Sequence, residues 1–155
     1  MGIIPGNLFN SNESKTVVNF TLMNIILFDG VCNLCNWSVN FIIKHDKNNK
    51  FKFLAQQSEE GTKRLLANGF NAQGNTTIVL LAGDKVFTKS NAVIEIGKQL
   101  SGWPRLAILL KIFPGFIRDF FYSIISKYRY TIFGRKDTCM IPISAYKDKF
   151  IVDEL

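Results

Sequence analysis

Apolar and polar positions alternate between two periods along this chain. Ile25-Ile26-Leu27-Phe28 is a short unbroken apolar run, the pattern of a strand buried on both faces. Asp29-Gly30 then turns the chain. From Cys32 to about His45, Leu34, Cys35, Val39, Phe41, Ile42 and Ile43 recur at helical spacing, with Asn33, Asn36, Asn40 and Lys44 between them. Phe51 to Ala55 alternates as a strand does. A helix follows with Ser58 as its cap, Glu59 and Glu60 in its first turn and Gly69 past its end. Thr76 to Leu81 is a β-branched and apolar strand, Gly83-Asp84 a turn, and Lys85 to Thr88 the returning arm of a hairpin. Ser90 is expected to cap the next helix, which carries Val93, Ile96 and Leu100 and stops at Gly102.

The order β-α-β-α-β-β-α predicts a mixed α/β sheet. A helical crossover makes the first two strands parallel, and the hairpin adds antiparallel ones. Beyond it, Pro104 and Pro114 each suit the first turn of a further helix. In the second of these, Ile117, Phe120, Phe121, Ile124, Ile125 and Tyr128 form one apolar stripe, expected to pack on the sheet domain or on a second copy. The predicted organisation is a poorly ordered extension over 1–24, a domain with C-terminal helices over 25–142, and a tail over 143–155.

Composition narrows the class. The chain has 155 residues, 47% hydrophobic and 20% charged, enough apolar material for one packed domain and too much for a disordered chain. Residues 1–24 lack the pattern of a secretory signal, and the stretch from Trp103 to Phe133 is too interrupted by charge and proline to span a membrane. The expected location is cytoplasmic. Net charge is +7, with Arg105, Lys111, Arg118, Lys127, Arg129, Arg135 and Lys136 gathered near the C-terminus. That concentration reads as a solvated helix face, with an anionic partner, nucleic acid or a lipid surface touched peripherally, as the functional alternative. Nucleic acid is not an expected partner.

The candidate chemistry lies at the start of the first helix. A thiolate, not a thiol, attacks disulfides, and a helix N-terminus stabilises one through unpaired N–H groups and the positive end of the dipole. Cys32 falls in that position and Cys35 one turn further on, able to close a disulfide. Cys32 is expected as the nucleophile and the more exposed thiol, with Cys35 as the resolving thiol turned towards the sheet. Asp29, three residues before Cys32, would oppose its ionisation if close. It can alternatively cap backbone N–H groups or take the proton of Cys35. The third cysteine, Cys139, is expected to be buried. Zinc also uses C-x-x-C, but a structural site needs four ligands, and His45 lies ten residues beyond Cys35, about 15 Å along a helix. No metal and no cofactor are expected.

The run Asp29-Gly30-Val31-Cys32-Asn33-Leu34-Cys35 resembles the D-x-x-C-x-x-C signature of the DCC family of thiol–disulfide oxidoreductases. The resemblance runs from about Asn24 to Pro142 and includes Tyr128-Arg129-Tyr130, Phe133-Gly134-Arg135, Asp137, Cys139 and Pro142. It implies a thioredoxin-like fold and disulfide reductase activity, with Asp29, Cys32 and Cys35 at the motif positions and protein or small-molecule disulfides as partners. One departure concerns docking. The cis-proline that thioredoxins place before the third strand is absent, and Thr76 or Thr77 takes its place. A different reading also fits the residues: a non-catalytic binding module whose basic aromatic C-terminal region docks a membrane surface or a protein partner. Electron donor and oligomeric state have no signature in the chain.

Overall fold

The structure, a computed structural model, describes residues 23–71, 77–138 and 144–151. Most of the N-terminal extension, Thr76, Cys139 and Pro142 lie outside the described residues.

The central strand is β1 (Asn24–Phe28). It pairs in parallel with β2 (Phe51–Ala55) and antiparallel with β3 (Val79–Ala82), which pairs antiparallel with β4 (Lys85–Thr88). The sheet order is β2-β1-β3-β4. Side chains of β1 alternate between faces, as strand geometry requires. Ile26 and Phe28 enter a core with Val39, Ile42 and Ile96, from α1 (Asn33–His45) and α3 (Lys89–Gln99). Ile25 and Leu27 pack on the other face with Leu65 of α2 (Glu59–Ala67). Burial on both faces explains why β1 is apolar at every position from Ile25 to Phe28, and full burial of each such side chain contributes about 1.5–3 kcal/mol. This is the mixed thioredoxin-like α/β sheet.

Capping follows the expected chemistry at α2, where Ser58 Oγ accepts the N–H of Gly61 at 3.0 Å. It does not at α3. There Thr88 is the N-cap, and Ser90 sits inside the first turn, donating its hydroxyl to the Asp119 carboxylate. The third strand starts at Val79, later than expected, because side chains take the preceding backbone groups. Gln56 Nε2 donates to Thr77 O at 2.7 Å, and Ile78 N–H donates to Tyr122 Oη at 3.0 Å.

After Gly102 the chain forms a 3₁₀ segment (Trp103–Ile112) and then α4 (Gly115–Phe133), with Pro114 as N-cap. The 3₁₀ segment lies against α3 at Gly97. A Cβ there would come within 2.6 Å of Ala107 Cβ and 2.9 Å of Pro104 O, so only glycine permits the approach. The aromatic stripe of α4 does not pack on the sheet domain. Phe120 and Phe121 are 62% and 60% exposed, and Arg129 is the buried residue of that helix.

Candidate active site

The end of β1 delivers Asp29 to a turn through Gly30 and Val31, and the turn ends at Cys32. Cys32 is the N-cap of α1, with extended backbone (φ −82°, ψ 122°). Its carbonyl accepts the first intrahelical bond from Asn36 N–H at 3.0 Å, and its Sγ accepts the N–H of Cys35 at 3.4 Å. The sulfur thus takes the place that a serine or aspartate oxygen fills at other helix starts. A thiolate there meets an unpaired amide and the positive end of the helix dipole. Asn36, buried one turn on, ties the helix to the turn by donating to Gly30 O at 3.1 Å.

Asp29 is not the cap of α1. Its Oδ1 accepts from Val31 N–H at 3.1 Å and Gln57 Nε2 at 2.6 Å. Its Oδ2 accepts from Arg129 Nη2 at 2.7 Å and from the Tyr130 hydroxyl. Gln57 also receives Gly30 N–H at 3.0 Å, so the turn is held from both sides. The Asp29 and Arg129 side chains are each only 4% exposed, a buried ion pair. Arg129 also places Nη1 3.9 Å from Cys35 Sγ. Arg129, one of the C-terminal cations expected on a solvated helix face, is instead buried and pairs with Asp29, a hundred positions away. A readable clue was available. On a helix with an aromatic stripe, Arg129 falls on the opposite face with Tyr122 and Ser126.

The Cys35 thiol is strongly perturbed by its surroundings. Burial pushes Cys35 up to about 12; a hydrogen bond and charge from Cys32 add to this, with a smaller rise from Asp29 opposed by Arg129. Cys35 therefore keeps its proton at neutral pH. Burial also raises Tyr130, and the hydrogen bond it gives Asp29 acts in the same direction. Burial works against charge on Arg129, but Cys35, Tyr130 and Asp29 outweigh it and raise its pKa.

Access is the reverse of the expectation. Cys32, expected to be the more exposed thiol, is fully buried, and Cys35 is half-buried. The cause is the segment after α4. Arg135 forms an antiparallel bridge to Cys32, and Lys136 N–H donates to Val31 O at 2.8 Å. Asn33 holds the same strap, its Nδ2 donating to Phe133 O at 2.9 Å. Gly134 makes the turn into the strap at φ +80°, a conformation that favours glycine.

Cys35 instead faces a cavity of about 550 Å³ enclosed by α1, α3, the 3₁₀ segment and α4. Its walls are apolar, with Trp37, Phe41, Ile96 and Leu106 among them, and its polar end is formed by Asp29, Cys35, Tyr122 and Arg129. Thr77 lines it too, and among the described residues no peptide bond is cis. Tyr122 Oη occupies the Ile78 N–H, so the backbone beside the dithiol is closed to an added peptide strand. No group of three His, Cys, Asp or Glu side chains that could hold a metal occurs among the described residues. His45 Nδ1 lies 2.8 Å from Phe41 O, one turn back on α1.

A mixed sheet in this order, with a dithiol at the start of its first helix, defines a thioredoxin-like thiol–disulfide oxidoreductase. A family model described as DCC1-like thiol-disulfide oxidoreductase matches residues 26–135, a span that takes in both the dithiol and Arg129. The chain belongs to the DCC family. It is 45% identical over 116 residues to the DCC family protein At1g52590, chloroplastic, of Arabidopsis thaliana, covering 74% of this chain and 67% of that protein. It is also 41% identical over 127 residues to the uncharacterized protein YuxK of Bacillus subtilis (strain 168), covering 82% of this chain and 93% of that one. No solved structure matches it significantly.

Proposed function

We propose that the protein reduces disulfides of proteins or small molecules, with Cys32 as attacking sulfur, Cys35 as resolving sulfur and Asp29 as positioning residue. The observation that carries this reading is the Cys32 sulfur capping α1 against the Cys35 N–H while Cys35 stays protonated. The Cys32 thiolate attacks one sulfur of R–S–S–R′, and R′S⁻ leaves and takes up a proton. In the resulting mixed disulfide, Cys32 no longer carries charge, so two of the influences that raise Cys35 vanish. Arg129 then opposes only burial and Asp29. Cys35 gives up its proton to the departing RS⁻ as it attacks the Cys32 sulfur, which leaves a Cys32–Cys35 disulfide and two reduced thiols. A thiol reductant restores the dithiol, and the cytoplasm, where such reductants are abundant, is the proposed location.

Asp29 has four donors around its two oxygens, which suits holding Arg129 beside Cys35 better than shuttling a proton. Because the strap covers Cys32, a substrate engages it only when residues 134–136 lift. The test is a redox titration of the protein followed by mass, with reduction of insulin and of glutathione disulfide measured alongside. Formation of a Cys32–Cys35 disulfide and turnover of either substrate is the expected result. A dithiol that stays reduced at every oxidising poise would sink the reading. The outward stripe of α4 favours a second activity beside this one, docking of the C-terminal region.

A further inference from the structure

A surface helix normally turns its apolar stripe towards the core and its polar face to water. Helix α4 does the opposite. Asp119, Tyr122, Ser126 and Arg129 follow one another at helical spacing on the side that meets the domain. Asp119 accepts from Ser90, Tyr122 from Ile78 N–H at 3.0 Å, and Arg129 pairs with Asp29 at 2.7 Å. Phe116, Phe120, Phe121 and Ile132 point away, 76%, 62%, 60% and 67% exposed. The 3₁₀ segment, joined to α4 through Phe113 and Pro114, adds exposed Leu109 and Ile112. Scattered exposed apolar residues are ordinary, but a whole helix face of them marks a surface that is covered in use.

Charge selects what covers it. Arg105, Lys111 and Lys127 are exposed among these apolar side chains, and Asp119, the acid of the stretch 103–133, is taken by Ser90. A second copy laid symmetrically on the same face would bring these cations against each other, and Glu95, the acid beside Lys111, is already paired with Lys98. An anionic surface meets them all.

We propose that the 3₁₀ segment and α4 dock the protein onto an anionic lipid bilayer, lying in the interface rather than crossing it. No helix among the described residues is long and apolar enough to cross a membrane. Phe116, Phe120 and Ile112 enter the acyl boundary, and Lys111 and Lys127 extend their stems so that the ammonium groups reach lipid phosphates. Trp103, half of it or more exposed at the start of the 3₁₀ segment, suits the headgroup level. Leu106, Leu110 and Ile125, which line the cavity beside Cys35, are on these same elements, so the dithiol works next to the lipid boundary. The proposal stands on the C-terminal elements and is independent of the dithiol chemistry.

The experiment is co-sedimentation of the full chain with phosphatidylcholine vesicles, with and without phosphatidylglycerol. Binding to the mixed vesicles, weakened by salt and much weaker on phosphatidylcholine alone, is expected. Phe116→Ser combined with Phe120→Ser should lower affinity at least about tenfold. Lys111→Gln and Lys127→Gln should each lower it about fivefold on anionic vesicles and leave neutral ones unaffected. No binding to anionic vesicles overturns the proposal, as does equal binding by the serine variant. A stable dimer in light scattering that ignores vesicles also overturns it and assigns the face to self-association. Redox titration of the same proteins keeps the two questions apart: the serine and glutamine variants should titrate as the parent does. A dithiol inert in all of them would count against the oxidoreductase reading and leave the vesicle result standing.

Discussion

Asp29→Asn should make Cys35 more acidic, although it is the carboxylate of the family motif that is removed. Arg129 Nη1 lies 3.9 Å from Cys35 Sγ. Two full charges at that distance attract by about 4 kcal/mol at an effective dielectric constant near 20. Little of this reaches Cys35 in the wild type, because Asp29 holds the same guanidinium at 2.7 Å and itself disfavours a thiolate. Asparagine keeps an oxygen for Val31 N–H but removes the counter-charge. Both consequences have one sign: the repulsion goes, and the guanidinium is left facing the sulfur. If a third of the attraction is released, about 1.4 kcal/mol, the Cys35 thiolate becomes about ten times more populated at a given alkaline pH.

The assay is the pH dependence of Cys35 alkylation, read by peptide mass. The wild-type profile should rise only towards about 12, and the variant should rise earlier. Arg129→Met should move it the other way. Stability gives a second readout, since removing one partner of a buried pair leaves the other uncompensated, at a cost of about 3–5 kcal/mol. At the lower end that lowers Tm by roughly 6–12 °C for a chain of this size. A Cys35 profile unchanged in both variants would refute the claim that the ion pair governs the site, whatever happens to Tm.

Cys35 also predicts an alkaline loss of stability. Its folded pKa is raised from 9.0 to about 12, so its contribution is complete below pH 9 and disappears as pH rises from there towards 12. Reduced wild-type protein should melt at progressively lower temperature across that window, and Cys35→Ser should remove part of the decline; identical slopes would contradict the burial of this thiol. Cys35→Ser should also accumulate mixed disulfides at Cys32 when exposed to glutathione disulfide, because exchange begins there and cannot be completed. Adduct forming only in Cys32→Ser would reverse the order of attack. Asn33→Ala deletes the bond from its side chain to Phe133 O. The loss of about 1 kcal/mol should raise the alkylation rate of Cys32 roughly fivefold, and an unchanged rate would mean the strap does not control access.

The sheet was legible because it rests on local signals that agree with one another. Ile25 to Phe28 had to be buried on both faces, the 13-residue helix α1 follows from its spacing, and Ser58 and Gly69 bracket α2. The parallel pairing of β1 and β2 then follows from the helix between them. What failed was local chemistry overruled from a distance. Ser90 has a capping side chain, but Asp119 on α4 claims it. Thr77 and Ile78 are good strand residues, but Gln56 and Tyr122 bind their backbone groups. The dithiol was readable from its spacing alone. The burial of Cys32 was not, because the strand-like strap that covers it comes from Arg135 and Lys136, a hundred residues on.

Helix α4 shows what periodicity leaves open. The spacing of its aromatic residues establishes that the helix has two faces, and the usual rule then turns the apolar one inward. That rule assumes the polar face has no better partner than water. Here it has: Tyr122 reaches the Ile78 amide just before β3, Asp119 a buried serine, and Arg129 a buried carboxylate whose charge it balances. Each of these groups costs more unsatisfied in the interior than a phenylalanine costs on the surface, since desolvating an unpaired charge exceeds several times over the gain from burying one ring. The polar face is therefore drawn inward by the site it completes. Orientation of this helix follows from Asp29, and the aromatic stripe is displayed outward as a consequence. The same contact that places Arg129 beside Cys35 thus fixes which surface the protein offers to its surroundings.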